Sequence, residues 1–147
     1  MKIQSVMFAD NELIPMQYTC EGKNTSPPLL FLEVPQDAKS LVLIVDDPDA
    51  VSGLWTHWIV FNIPPDTHEF TESAVPPGVE GTTSFGKIGY GGPCPPNEPV
   101  HHYKFKLFAL DQLLKVDESA TREEIETAMS THVIEDAELV GMYQKTR

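Results

Sequence analysis

Ser40-Leu-Val-Leu-Ile-Val-Asp-Asp-Pro-Asp49 is the stretch on which the fold turns. Ser40–Asp46 is apolar, β-branched and continuous rather than alternating, the pattern of a strand covered on both faces. The proline stops the strand, and three carboxylates (Asp46, Asp47 and Asp49) collect at its exit. Carboxylates in such a place cap a turn or line a pocket; this stretch alone leaves both readings open.

The next strand expected is Trp55–Ile63, ended by Pro64-Pro65. Strict alternation puts Trp55, His57, Ile59, Phe61 and Ile63 on one face and Thr56, Trp58, Val60 and Asn62 on the other. His57 thus stands in an apolar row, where a histidine is either a hydrogen-bonded core residue or, in the company of the Asp47 corner, a ligand-facing one. A third long strand is expected at His101–Asp111. Its alternation separates two adjacent histidines: His101 shares the apolar face with Tyr103, Phe105, Leu107 and Ala109, while His102 joins Lys104, Lys106 and Phe108.

Between these strands, residues 66–84 form a long polar connection, a kind that is often functional. Gly86-Lys-Ile-Gly-Tyr-Gly-Gly-Pro-Cys-Pro-Pro-Asn-Glu-Pro-Val100 then leads into His101. Glycines let backbone approach a ligand closely and prolines stiffen it, so this run is either a rigid surface crossover or the wall of a small polar pocket. Upstream, residues 2–8 suggest a strand with Ile3, Val6 and Phe8 partly buried; 9–29 read as loop and Leu29–Val34 as a short strand. Downstream, Thr121-Arg-Glu-Glu124 is a capping box opening a helix with Ile125, Ala128 and Met129 inward. A second helix is expected at about 135–140, with Ala137 and Val140 inward. Strands first and two short helices last point to a β-rich α+β domain with a largely antiparallel sheet.

The chain's 147 residues suit one domain. Its formal net charge of -12 argues against nucleic acid and anionic membranes as partners, but leaves room for a small anion in a locally positive pocket. No apolar leader stands at Met1–Asp10, and the apolar run Leu41–Val45 is far too short to span a bilayer. Cys20 and Cys94 form no CxxC; without an export signal, reduced thiols in a cytoplasmic compartment are the expectation, and a Cys20–Cys94 disulfide or a redox role is the other reading.

Asp47/Asp49, His57 and His101/Tyr103 sit at strand ends. If those strands are neighbours, the groups meet in one pocket. Imidazoles, a phenol and glycine-flanked N–H groups donate to anions. An aspartate beside a histidine raises that histidine's pKa and keeps it cationic; an aspartate also accepts from a protonated phosphate or binds an ammonium group. This is recognition chemistry for a small phosphorylated or zwitterionic molecule. Ser52 and Ser84 lie in no nucleophile motif, and no HExxH is present. The paired His101-His102 on a strand cannot both face one metal. No cofactor, no metal and no enzymatic activity are therefore expected; a hydrolase using His57 or His101 is the alternative.

Ser40–Asp49, Trp55-Thr-His-Trp-Ile-Val-Phe-Asn-Ile-Pro64 and Gly86–Pro96 followed by His101-His-Tyr103 together resemble the phosphatidylethanolamine-binding protein (PEBP) family, most closely its bacterial and archaeal Raf-kinase-inhibitor-like branch. Tyr18-Thr-Cys-Glu-Gly22, Ser26-Pro-Pro-Leu29 and Ala137–Tyr143 match that branch too. The resemblance implies a large central antiparallel sheet, a smaller second sheet, peripheral helices, and a pocket for phosphate, acetate or phospholipid head groups. It implies Asp47, Asp49, His57, Gly92, Pro93, His101 and Tyr103 as ligand-binding residues. It also implies a modulator of a partner protein, a kinase or serine protease, rather than an enzyme; a homodimer is compatible with the chain. Three positions depart from the family pattern. Val51 stands where Asp-Pro-Asp-Ala is commonly followed by proline. In Gly-x-His-Arg-Tyr, Pro99 takes the glycine position and His102 the arginine position.

Overall fold

Strand β4 (Ser40–Asp47) is buried along its whole length, hydrogen-bonded on one edge to β5 (Trp55–Ile63) and on the other to β8 (His101–Leu110), both antiparallel. The computed structural model describes residues 1–96 and 99–146. The remaining strands are β1 (Lys2–Gln4), β2 (Glu12–Leu13), β3 (Leu29–Leu32), β6 (Glu69–Phe70), β7 (Val79–Glu80) and β9 (Val133–Tyr143). A six-stranded sheet runs in the order β2-β9-β8-β4-β5-β7, and a three-stranded sheet in the order β1-β3-β6. All pairings are antiparallel except β2 with β9.

The two faces of β4 serve two cores. Leu41, Leu43 and Val45 pack with Phe105, Leu107 and Ala109 of β8 against Ile3, Leu29, Phe31 and Phe70 of the smaller sheet. Val42 and Ile44 pack on the opposite side with Ile125 and Met129, which belong to the α-helix α1 (Arg122–Met129). Thr121 and Glu124 close a reciprocal capping box at its start, as their spacing predicts. The alternation expected for β8 holds: His101, Tyr103, Phe105, Leu107 and Ala109 are buried, and the residues between them only partly so.

Alternation fails in β5. Val45 pairs with Trp58 but Asp46 with Thr56, and Leu43 pairs with Val60 but Leu41 with Ile63. Each shift is a β-bulge, an extra residue that flips the side chains beyond it to the other face; at the second, Asn62 has a φ of 52°. Trp58, Val60 and Ile63 therefore face the sheet–sheet core, and Ile59 and Phe61 face the helix. The strict row Trp55-His57-Ile59-Phe61-Ile63 is incorrect at Ile59 and Phe61; the second bulge returns Ile63 to the face of the sheet–sheet core.

Three further expectations are corrected. Residues 135–140 are not a second helix but part of β9, which pairs with β8 from Val133 to Tyr143; the ladder with a buried strand overrides the weak i, i+3 spacing of Ala137 and Val140. The first strand stops at Gln4, since the Ser5 hydroxyl donates to the Pro28 carbonyl at 2.7 Å and accepts from Met7 N–H at 3.2 Å, turning the chain and leaving Val6 exposed. Cys20 and Cys94 are not free thiols: they form a disulfide across 74 residues of sequence. The long loop read at 9–29 contains β2 and a 3₁₀ turn, Met16–Tyr18. Among the described residues, no helix is long and apolar enough to cross a membrane.

Candidate functional site

Because β5 and β8 both run antiparallel to β4, the end of β4 lies beside the beginnings of its two neighbours. Asp47 is opposite Trp55, and Asp46 is opposite both Thr56 and Lys104. The period of two then divides the carboxylates. Asp46 turns towards α1, where Arg122 Nε donates to both its oxygens at 3.2 and 3.0 Å and the Thr56 hydroxyl donates at 2.8 Å. Asp47 turns the other way, onto the face of His101 and Tyr103. There it helps to line a cavity of about 370 Å³ with Trp55, His57, Phe85, His101 and Tyr103, the Ala50–Ser52 turn and Cys94–Pro96.

The buried polar groups at its base hold one another in place. His101 Nδ1 donates to Asp47 Oδ2 at 2.7 Å, and Asp47 Oδ1 accepts from Asp49 N–H at 2.8 Å. His57 Nδ1 donates to the Gly91 carbonyl at 2.7 Å, and Gly91 N–H returns a bond to the His57 carbonyl at 3.0 Å. The His57 ring meets Tyr103 and Phe85 edge-on, with centroids 5.2 and 5.3 Å apart, and Phe85 meets Trp55 in the same way at 5.5 Å. Tyr103 Oη is buried and has no hydrogen-bond partner among the described residues. Such an orphan is costly unless something occupies the site.

The electrostatics differ from the sequence expectation at His57. Burial lowers its pKa, and this outweighs the Gly91 carbonyl and the Asp47 charge, which pull upwards. Burial holds the ring towards its neutral form, and the aspartate makes its hydrogen bond with His101 instead. Burial, then the neighbouring Asp47 carboxylate, push the Tyr103 phenol far above its ordinary value, so it remains a donor.

Of the residues expected at the site, Asp47, His57, His101 and Tyr103 surround this cavity. Asp49 stands at its edge, accepting from the backbone N–H and Nδ1 of His102 at 2.9 and 2.8 Å. Partial burial opposes ionisation of Asp49, but these bonds prevail and its pKa is lowered. The histidine in the arginine position thus faces an acid outside the cavity. Gly92 and Pro93 are not lining residues. Gly92 N–H donates to Asn24 Oδ1 at 2.8 Å, and Pro93 O accepts from Cys20 N–H at 3.0 Å. A Cβ on Gly92 would lie 2.2 Å from the Tyr18 carbonyl oxygen and 2.4 Å from Asn24 Oδ1. Gly92→Ala should therefore destabilise by about 1–3 kcal/mol through overpacking, read as a lower urea midpoint; an unchanged midpoint would show that the strap behind the wall gives way freely.

A second cleft of about 500 Å³, lined by Met1–Ser5, Phe8–Asp10 and Ala137–Leu139, contains none of the buried polar side chains. Among the described residues, no group of three or more histidine, cysteine or acidic side chains is placed to hold a metal ion.

The family model for phosphatidylethanolamine-binding proteins matches residues 4–144. The chain belongs to this family. A UPF0098 protein of Pyrococcus abyssi is 48% identical, with 98% of this chain and 85% of the relative covered. Another, from Methanothermobacter thermautotrophicus, is 46% identical with 99% of both covered. The fold agrees: a solved PEBP homologue from Chlamydia trachomatis superposes with a TM-score of 0.94 at 44% identity, covering 98% of this chain and 97% of that one. YbcL of E. coli, described as a member of the mammalian PEBP family, gives 0.91 at 32% identity, covering 99% and 98%.

Within this PEBP fold, sequence reasoning missed the apolar part of the cavity. Trp55 was placed on the correct face of β5, but its lining position was not foreseen. Phe85 directly follows the long polar connection 66–84, whose length was the only signal near it. Gly91 acts through its carbonyl, and its lack of a side chain leaves room for the Phe85 ring, which a Cβ would meet at 2.5 Å.

Proposed function

We propose that this PEBP-family chain is a non-enzymatic binding protein whose cavity takes a small oxyanion-bearing ligand, a phosphorylated small molecule or a phospholipid head group. The observation that carries this reading is the convergence of Asp47, His57, His101 and Tyr103 on one cavity, with Tyr103 Oη left without a partner. The apolar mouth made by Val51, Trp55, Phe85 and Pro96 suits an organic group attached to the oxyanion. Against catalysis, the Cys94 sulfur is held in a disulfide, and each buried imidazole uses Nδ1 to hold its own position.

The test is to titrate phosphate and phosphoethanolamine while following the His57 and His101 ring protons by NMR. Saturable shifts of both rings are expected; no shift in either sinks the reading. His57→Ala should weaken binding by about 1.5–3 kcal/mol, the scale of a hydrogen bond to a charged group, and unchanged affinity would remove His57 from the site. Turnover of generic phosphoesters that disappears in His101→Ala would support the hydrolase alternative instead.

A second reading has its own support. Val51 and Phe85, which line the cavity, and Leu54 and Val100, which precede Trp55 and His101, are exposed apolar side chains. Such a collar suits a partner protein, and the family resemblance suggests a kinase or serine protease. Inhibition of a protease that persists in a variant unable to bind phosphate would favour this surface reading. A cytoplasmic location remains part of the proposal, with the disulfide setting its condition: a cytoplasm in which disulfides persist, as in hyperthermophiles.

A further inference from the structure

We propose that the oxyanion bound in this cavity brings its own proton: a phosphomonoester in its singly protonated form is taken in preference to sulfate or to a phosphodiester. The inference rests on the pocket reading above and narrows its ligand class.

The argument begins at the Gly91 carbonyl, which can only accept. His57 Nδ1, 2.7 Å away, must therefore carry a hydrogen, and in the neutral ring Nε2 is then a lone pair. The residue is only 3% exposed. Nε2 makes no hydrogen bond among the described residues, yet it is not among the atoms sealed from solvent. It opens onto the cavity as an acceptor.

The surroundings supply little positive charge. Among the described residues, no lysine or arginine lines the cavity. From β4, Asp47 and the more distant Asp46 act on His57; from β8, His101 and Tyr103 face it; from the wall, the Gly91 and Gly92 backbone does. Burial nevertheless dominates and keeps the imidazole towards neutrality. His101 directs Nδ1 at Asp47, whose other oxygen takes Asp49 N–H. The base therefore presents an acceptor at His57 Nε2 and, beside the Asp47 carboxylate, a donor at Tyr103 Oη that is buried without a well-formed hydrogen bond among the described residues.

A fully ionised oxyanion matches only half of that pair. Its oxygens accept from Tyr103 but set lone pair against lone pair at His57, unless a proton is first drawn onto the buried ring. A phosphomonoester with one proton matches both: P–O–H donates to His57 Nε2 and P–O⁻ accepts from Tyr103. Its second pKa, roughly 6, makes that species available near neutrality. Sulfate and phosphodiesters have no such proton.

The experiment compares methyl phosphate, sulfate and dimethyl phosphate on the intact protein by calorimetry at pH 6.5, 7.0 and 8.0 and constant ionic strength. Methyl phosphate should bind at pH 6.5 about tenfold or more tighter than either of the others, the scale of one charged hydrogen bond gained rather than opposed. Its affinity should fall as pH rises and the protonated ester is depleted. His57→Gln, which can turn an amide N–H to the ligand, should narrow the preference. Equal affinity for methyl phosphate and sulfate, or an unaltered preference in folded His57→Gln, overturns this inference while the pocket reading stands. Failure of all three ligands to bind overturns both.

Discussion

Replacing Arg122 with methionine should destabilise the protein by about 3–5 kcal/mol, the cost of leaving a buried charge without its partner. Asp46 is fully buried at the end of β4. Its oxygens are held by Arg122 Nε and the Thr56 hydroxyl. Methionine keeps most of the aliphatic contact that the arginine stem makes but removes the guanidinium, so the loss reports on charge rather than packing. Asp46→Asn in the Arg122→Met background should recover much of it, since a neutral amide needs no counter-ion. Urea unfolding of the four members of this cycle, with matching m-values, gives the comparison. A cost below about 1 kcal/mol for the single variant would mean that Asp46 finds protons or water without the helix. The position matters because the adjacent Asp47 holds His101. The carboxylate pair at the exit of β4 binds one side of the sheet to α1 and the other to the cavity.

Much of this arrangement could be read from residue order, for a physical reason. β8 is regular, so period-two reasoning placed His101 and Tyr103 on a common inner face, and the strand-end position of Asp47 brought it to them once β4 proved to be the neighbour of β8. The capping box at Thr121 was legible because both its hydrogen bonds are local. What escaped depends on partners distant in sequence. The bulges of β5 exist only in its pairing with β4, and they carry Trp58 and Val60 to the face where strict alternation would put Ile59 and Phe61. β9 looked helical because its outer half mixes Glu135, Asp136 and Glu138 with apolar residues; its inward row of Leu139, Gly141 and Tyr143 becomes visible only beside β8. Gly141 reads either as a helix end or as a point of close packing against the sheet; a Cβ there would lie 2.5 Å from Ile14 Cγ1, so the packing reading holds. At the site, the side chains were legible and the backbone was not. Nothing in the run Gly86–Pro96 announces that Gly91 uses its carbonyl to set the His57 tautomer while Gly92 packs against the 3₁₀ turn.

Reduction of the Cys20–Cys94 disulfide, or its replacement by two serines, should lower stability by about 4 kcal/mol. A bridge closing a loop across 74 residues removes denatured-state entropy on that order in the chain-entropy account. Both cysteines are exposed, so a thiol reductant has access to the bridge without global unfolding. The folded state should survive its loss, because neighbouring tethers remain: Cys20 N–H to the Pro93 carbonyl at 3.0 Å, Gly92 N–H to Asn24 at 2.8 Å, and Gly91 N–H to His57 at 3.0 Å. Beyond Pro93 the situation changes. Cys94, Pro95 and Pro96 line the cavity but make no hydrogen bond among the described residues, so the bridge is what anchors that stretch of wall to the 3₁₀ turn. Denaturant unfolding with and without dithiothreitol measures the stability term, and the double serine variant separates it from other effects of the reductant. The hydrogen-bonded amides of Gly91 and Gly92 should keep their protection against exchange. A shift below about 1 kcal/mol would show that the denatured chain is already restricted in this region. Uniformly faster exchange through Gly91 would mean that the disulfide supports the His57 side of the wall as well.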